Sequence, residues 1–264
     1  MKPARRVDAV SRSQPGASDL ALDLRGLTGP AGTPVLRDVS LTVPRGGTHV
    51  VLGAMHSGKS LLLRLLLGLQ RSEHGTVTID GTNVDLAAPN DDALNHVRRR
   101  VGVIFDSSAL VSRLTLLENV ELPLLEHTSM EGDAARDVAA RLLRDVGLPR
   151  DIDRTPDQVS RLDRRRAALA RALALEPMLL LVDEPGHGLD ADAASTLDDA
   201  MTSLQERYGC AALICSQEVR YAFRSPSSVS VLAGGTVVAH DTLDALRASG
   251  VAAVRRIVDR RGAA

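Results

Sequence analysis

The chain has 264 residues, 44% of them hydrophobic and 25% charged, with a formal net charge of −1. That is enough for one or two domains with a well-filled core, and it leaves no overall basic field to hold nucleic acid. Aromatics are 2%, with no Trp, two Tyr and two Phe, so the core must be built from Leu, Val, Ile and Ala, and base stacking on aromatic platforms is disfavoured.

In chain order, residues 1–17 carry charge without an apolar stretch and read as a flexible basic tail, not a signal peptide. VLRDVSLTV (35–43) and THVVLGA (48–54) are strand-like runs bounded by Gly and Pro. SGKSLLLRLLLGLQ (57–70) reads as a helix, and its LLLRLLLGL stretch carries Arg64 and is too short to span a membrane. GTVTIDG (75–81) and RRRVGVIF (98–105) read as strands, whereas 107–175 is helical with few β-branched runs. MLLLVDEP (178–185) returns to a central strand. A helix over about 191–207, the strand CAALICS (210–216), a strand pair SVSVLAGGTVVAH (228–240) and a helix DTLDALRASG (241–250) follow. Strands alternating with helices predict a parallel α/β sheet, with the block 107–175 inserted into it. Cys210 and Cys215 share one strand at odd spacing, which puts them on opposite faces as unpaired thiols of a reducing compartment.

GAMHSGKS (53–60) fits G-x-x-x-x-G-K-[ST] between a strand and a helix. A phosphate chain needs donors and positive potential. Gly53 and Gly58 let the backbone curl so that its N–H groups point inward, and the helix N-terminus adds its dipole. Lys59 is expected to bridge the outer phosphates and Ser60 to ligate Mg²⁺, with Ala54, Met55, His56, Ser57 and Leu61 completing the cradle. His56 has no His or Cys at ligand spacing, which disfavours a metal role. In LLLVDEP (179–185) four apolar residues make a strand buried on both faces. Asp183 at its end is placed to hold Mg²⁺ directly or through water, and Glu184 to act as general base on the attacking water.

With these motifs placed, the order of segments over roughly 20–250 resembles an ATP-binding-cassette ATPase and is similar to the ATPase subunits of Mla- and Mce-type lipid transporters. The stretches that carry the resemblance are SLTVPRGG (40–47), FDSSALVSRLTLLENVELPL (105–124), RRRAALARALALEP (164–177) and VVAHDTLDAL (237–246). It implies a P-loop cassette over 18–250 with a mixed or parallel core sheet, a helical subdomain at about 107–175 and a C-terminal tail at 251–264. It also implies a helix over 160–175 that begins with a Ser-Gly-Gly signature facing the γ-phosphate of ATP on an opposite subunit. There Leu162, Leu169 and Leu173 form one stripe, with Arg164 and Arg171 opposite. The arginines read either as a solvated face or as contacts to the cassette and to phosphates across the dimer.

Four positions depart from that pattern. VSRLD (159–163) keeps Ser160 but places Arg161 and Leu162 where the glycines stand. Their Cβ atoms crowd a phosphate that glycine would admit, although Arg161 offers a direct charge contact. Asp106 replaces the family's Gln, retaining the capacity to ligate Mg²⁺ while adding negative charge. Gln217 replaces the switch His and cannot carry a proton. GPAGTP (29–34) has no aromatic where the family stacks adenine, an expected cost of about 1–3 kcal/mol. Asp190 in HGLDAD fits the loop that crosses the dimer interface, and His187 beside it reads as a surface histidine.

The resemblance implies an ATP- and Mg²⁺-binding subunit at the cytoplasmic face of the cell membrane. It would work as a homodimer or heterodimer beneath an integral-membrane permease, without nucleic acid. Against it stands a degenerate cassette that binds ATP, hydrolyses little and acts structurally. A soluble cassette acting on DNA or ribosomes is disfavoured, because the chain has neither a second cassette nor a long coiled-coil insertion.

Overall fold

The computed structural model describes residues 19–30, 32, 35–224, 226–248 and 254. The segment 1–17 therefore lies outside the described residues. So do 251–264 apart from the buried Val254, and positions 31, 33 and 34 of the aromatic-free stretch.

Among the described residues ten strands form two sheets. Strands β1 (Leu20–Gly29), β2 (Leu36–Pro44), β4 (His74–Ile79) and β5 (Thr82–Asp85) make an antiparallel sheet in the order β2-β1-β4-β5. β2 alternates buried and exposed positions along much of its length, as a sheet covered on one face should. The central sheet runs β10-β9-β3-β8-β7-β6, built from β3 (Thr48–Gly53), β6 (Val101–Ile104), β7 (Leu179–Asp183), β8 (Ala211–Ser216), β9 (Ser228–Ala233) and β10 (Thr236–Asp241). It is parallel except for the β9–β10 hairpin at its edge. Every residue of β7 and β8 is buried, because helices cover one face and the antiparallel sheet with the helix Lys59–Leu66 covers the other.

Alternate side chains of the central strands feed two cores. Leu180, Val182, Ala212 and Ile214 pack with helices α3 (Leu116–His127), α4 (Gly132–Asp145), α5 (Arg161–Leu173) and α6 (Ala191–Tyr208). Leu179, Leu181, Ala211 and Leu213 pack toward α1 (Lys59–Leu66), α2 (Asp91–Arg99) and the antiparallel sheet. Cys210 belongs to the first core and Cys215 to the second; both are free, as their odd spacing predicts. The block between β6 and β7 is helical as expected, holding α3, α4, a 3-10 turn at Pro156–Gln158 and α5. The sequence pattern had not separated β1, β5 or α2 as elements of their own. A short helix α7 (Leu243–Ala248) follows the hairpin. Among the described residues no helix is long and apolar enough to cross a membrane.

His49 of β3 is wholly buried, its ring nitrogens 2.7 Å from Ser228 Oγ and 3.0 Å from Ser230 Oγ, and it stacks on His240 at 5.4 Å. Burial, with the neighbouring His240, lowers its pKa to about 3, so it is a neutral part of the sheet's edge.

Candidate functional site

The carboxyl ends of β3, β7 and β8 lie side by side, and each delivers part of the site. After β3 the chain turns through Ala54, Met55 and His56, all exposed, and Ser57, and enters α1 at Lys59. Gly58, the N-cap, has φ +106°, and a Cβ there would collide with Leu36. A Cβ at Gly53 would collide with the Ser57 hydroxyl, so the loop closes only around glycine at that position. Ser60 and Leu61 stand on the first turn of α1. Lys59 is buried; its Nζ donates to the carbonyls of Gly53 and Ala54 at 3.0 Å each and lies 3.2 Å from Glu184 Oε1.

Asp183 closes β7 and is buried, and its Oδ1 has no hydrogen-bond partner. Burial raises its pKa, and a hydrogen bond from Ser60 opposes that rise. An orphaned carboxylate oxygen beside a hydroxyl, next to a lysine, is the donor set a hard divalent cation bound to phosphates requires. The residues present therefore fit Mg²⁺ with a nucleotide. Glu184 has φ +45°, left-handed for a residue with a Cβ, the kind of backbone strain that clusters at functional sites. It is over-determined: its N–H donates to Cys215 O at 2.8 Å, and its carboxylate accepts from Ser216 Oγ at 3.0 Å and from Gln217 N at 3.0 and 3.1 Å. Gln217 thus meets Glu184 through its backbone, a contact that does not depend on its side chain.

The outer edge of the site is built differently. Ser160 is the N-cap of α5, accepting from Asp163 N at 3.1 Å and donating to Asp163 Oδ2 at 2.7 Å. Arg161 folds back within its own chain and donates to Gly188 O at 3.1 Å. Gly188 has φ +73°, and a Cβ on it would occupy the place of that guanidinium. Asp190 caps α6 through Ala193 N at 2.8 Å. Asp106 Oδ1 accepts from Arg165 at 2.8 Å and from His187 Nδ1 at 2.9 Å. Partial burial works against its ionisation, but the His187 and Arg165 hydrogen bonds outweigh it and hold the carboxyl below the usual range. The cradle residues, Asp183, Glu184 and Gln217 are brought together. Asp106 instead has one carboxylate oxygen committed to Arg165 and His187, and Ser160 and Asp190 serve as helix caps.

Of the two readings of the α5 arginines, contact with the cassette describes Arg164, Arg165 and Arg171, whereas Arg161 is exposed. Arg165 is 2% exposed. Arg171 donates to Ala109 O at 2.7 Å and Ser108 O at 3.2 Å, and Arg164 to Pro156 O at 3.0 Å. The irregular loops at 105–109 and 156–159 leave carbonyls that no ladder satisfies, and these guanidinium groups supply the donors. Two residues escaped the sequence reading. Arg165 lies on the apolar stripe, three residues after Leu162 and four before Leu169, which is the signal that it must be buried with a partner. Asn119, wholly buried, donates to the carbonyls of Val111, Leu114 and Thr115 and accepts from Val111 N at 2.7 Å, pinning the loop ahead of α3. A polar residue among apolar helix positions was its only trace.

A buried lysine in a strand–loop–helix cradle, facing a strand-end Asp-Glu pair on a parallel sheet, defines a P-loop nucleotide-binding protein. The profile described as ABC transporter matches residues 36–187. The chain is 34% identical over 239 residues to the intermembrane phospholipid transport system ATP-binding protein MlaF of Escherichia coli, covering 90% of this chain and 88% of that one. It is 33% identical over 243 residues to the probable ribonucleotide transport ATP-binding protein mkl of Mycobacterium leprae, covering 92% and 70%. Among solved structures, a dimeric ATP-binding cassette in a post-hydrolysis state with ADP and Pi superposes with a TM-score of 0.75 at 29% identity, over 84% of this chain and 98% of that one. The chain belongs to the ABC transporter family and is an ATP-binding subunit of it.

Proposed function

We propose that the chain binds MgATP between two cassettes and drives a membrane permease that moves lipids or related molecules, from the cytoplasmic face of the membrane. The lipid assignment is supported by the phospholipid transport protein of Escherichia coli and by the lipoprotein-releasing system ATP-binding protein LolD of Alcanivorax borkumensis, 39% identical over 196 residues, 73% of this chain and 83% of that one. Residues 18–250 act as one cassette, with 107–175 as its helical part.

The observation that carries the ATPase reading is the buried Lys59, held between the loop carbonyls and Glu184 and next to the orphaned Asp183 oxygen. Lys59 exchanges these contacts for the outer phosphates, which frees Glu184 to accept a proton from water. Ser60 and Asp183 hold Mg²⁺, which offsets phosphate charge when bound. The backbone N–H of Gln217 keeps the Glu184 carboxylate oriented. A groove of about 700 Å³ floored by Val101, Phe105 and Leu175 and flanked by Leu122, Pro123 and Arg171 seats the permease's coupling helix.

A second reading is favoured by Arg161: in place of a glycine it fills the signature edge and is tied to Gly188. On that reading the chain holds ATP with little turnover and serves a structural role beside a better-equipped paralogue. The test is the steady-state ATPase rate and ATP affinity of the chain, wild type beside Glu184→Gln, alone and with its permease. Turnover that Glu184→Gln removes supports the motor; tight binding without turnover in any setting supports the second reading.

A further inference from the structure

Among the described residues Arg165 is the largest fully buried side chain, at 2% exposure. A buried guanidinium needs its charge met; here Asp106 meets it and both Nη groups donate, while the buried Nε has no hydrogen-bond partner. Its contacts converge on segments that border the nucleotide site. Nη1 donates to Phe105 O at 2.8 Å, and Nη2 to Asp106 Oδ1 at 2.8 Å and to His187 O at 3.4 Å. Phe105 and Asp106 follow β6. His187 belongs to the turn that leaves Glu184, and its N–H donates to Glu184 O at 3.1 Å. Asp106 completes the joint by accepting from the His187 ring at 2.9 Å. One cation and one carboxylate thus bolt the helix that starts at Ser160 to both loops, beside a cavity of about 530 Å³ lined by Asp106, Arg161, Arg164 and His187.

We propose that Arg165 is a positioning residue of the nucleotide site. Acting through Asp106 and the His187 carbonyl, it fixes the turn after Glu184 and the loop 105–109 relative to each other, and Asp106 serves as its counter-charge and not as a ligand of Mg²⁺. The proposal rests on the nucleotide-site reading above. The Asp106 oxygen that meets Arg165 is the same one that meets His187, whereas the orphaned carboxylate oxygen beside Ser60 belongs to Asp183.

The test is a double-mutant cycle of Asp106→Asn and Arg165→Gln on the full chain, with Arg165→Lys as the conservative variant. Readouts are MgATP affinity, Mg²⁺ dependence, turnover and Tm, with ATP-driven dimerisation in a Glu184→Gln background replacing turnover if the unaltered chain has little. Either single substitution is expected to lower turnover or dimerisation at least tenfold, with MgATP affinity and the Mg²⁺ requirement held within about threefold. The double variant is expected to be no worse than the poorer single one, and Arg165→Lys to recover part of the loss. Independent, multiplying losses would overturn the proposal, as would losses that only track Tm without recovery by Lys. A tenfold rise in the Mg²⁺ requirement on Asp106→Asn would overturn it by making Asp106 a metal ligand. Failure of the unaltered chain to bind MgATP would defeat the nucleotide-site reading and this assignment with it.

Discussion

The inner and outer sides of the nucleotide site hold their polar groups by opposite means. On the inner side, Asp183 and Glu184 stand at the end of β7 and Lys59 opens α1 behind the loop that leaves β3; Lys59 contacts two loop carbonyls and Glu184, which a ligand can replace, and Asp183 keeps one orphaned oxygen. On the outer side, Arg161, Arg165, Asp106 and His187 are tied to one another and to backbone carbonyls of the same chain. The inner side resembles a socket awaiting phosphate, and the outer side is satisfied from within. A site can keep its binding chemistry on rigid strand ends while the loops around it are rebuilt, because the strand ends do not depend on those loops for their position.

The largest expected effect strikes the inner side. Glu184→Gln should lower turnover by about 10²–10⁴-fold while leaving ATP bound, since general-base catalysis contributes on that order; a chemical-quench assay with a nucleotide-binding measurement checks it, and undiminished turnover would move the base elsewhere. Lys59→Ala should weaken ATP binding by roughly 2–4 kcal/mol, the loss of charge-assisted contacts to phosphate. Calorimetry reads that directly, and unchanged affinity would remove the phosphate-loop assignment.

A third prediction concerns the sheet beneath both sides. His49 has its pKa lowered to about 3 in the fold, by burial first and His240 second, against about 6.5 unfolded. The unfolded chain therefore takes up a proton that the folded chain refuses. Stability is full above pH 6.5 and falls as the pH drops from 6.5 toward 3, by about 2.7 kcal/mol at pH 4.5 from this residue. Urea unfolding across that range should show a slope that His49→Asn flattens; an equal slope in both proteins would assign the acid sensitivity to other groups. The smallest effect tests the outer side. Arg161→Gly and Leu162→Gly combined with Gln217→His should raise turnover about tenfold, roughly 1.4 kcal/mol in the barrier. No gain, with the permease present, would mean that the rebuilt edge does not limit the reaction.

The inner side was legible in the sequence because its chemistry is local. GAMHSGKS and LLLVDEP each place their polar residues by chain connectivity, at the end of a run that can only be a buried strand. The helical block 107–175 was legible through its scarcity of β-branched runs, while the Thr115–Glu118 capping box that starts its first helix emerged only with the structure. The outer side was not. Arg165 meets Asp106 at a sequence separation of 59 and His187 at 22, and nothing within a window of one helix reveals such a partner. Asp106 consequently read as a metal ligand with no partner in its own chain, and the α5 arginines stayed undecided between a solvated face and contacts to the cassette, whereas His187, 54% exposed, is at the surface as expected.

Sequence by itself determined that this chain carries a phosphate cradle, a strand-end carboxylate pair and a helix whose signature glycines are replaced, because each is a pattern of residue type and spacing along one element. Only the tertiary structure decided which charges are already spent. Pairing between buried ions depends on distances set by packed strands and helices, and those distances leave Asp183 with an unmatched oxygen while they close Asp106 onto Arg165 and His187.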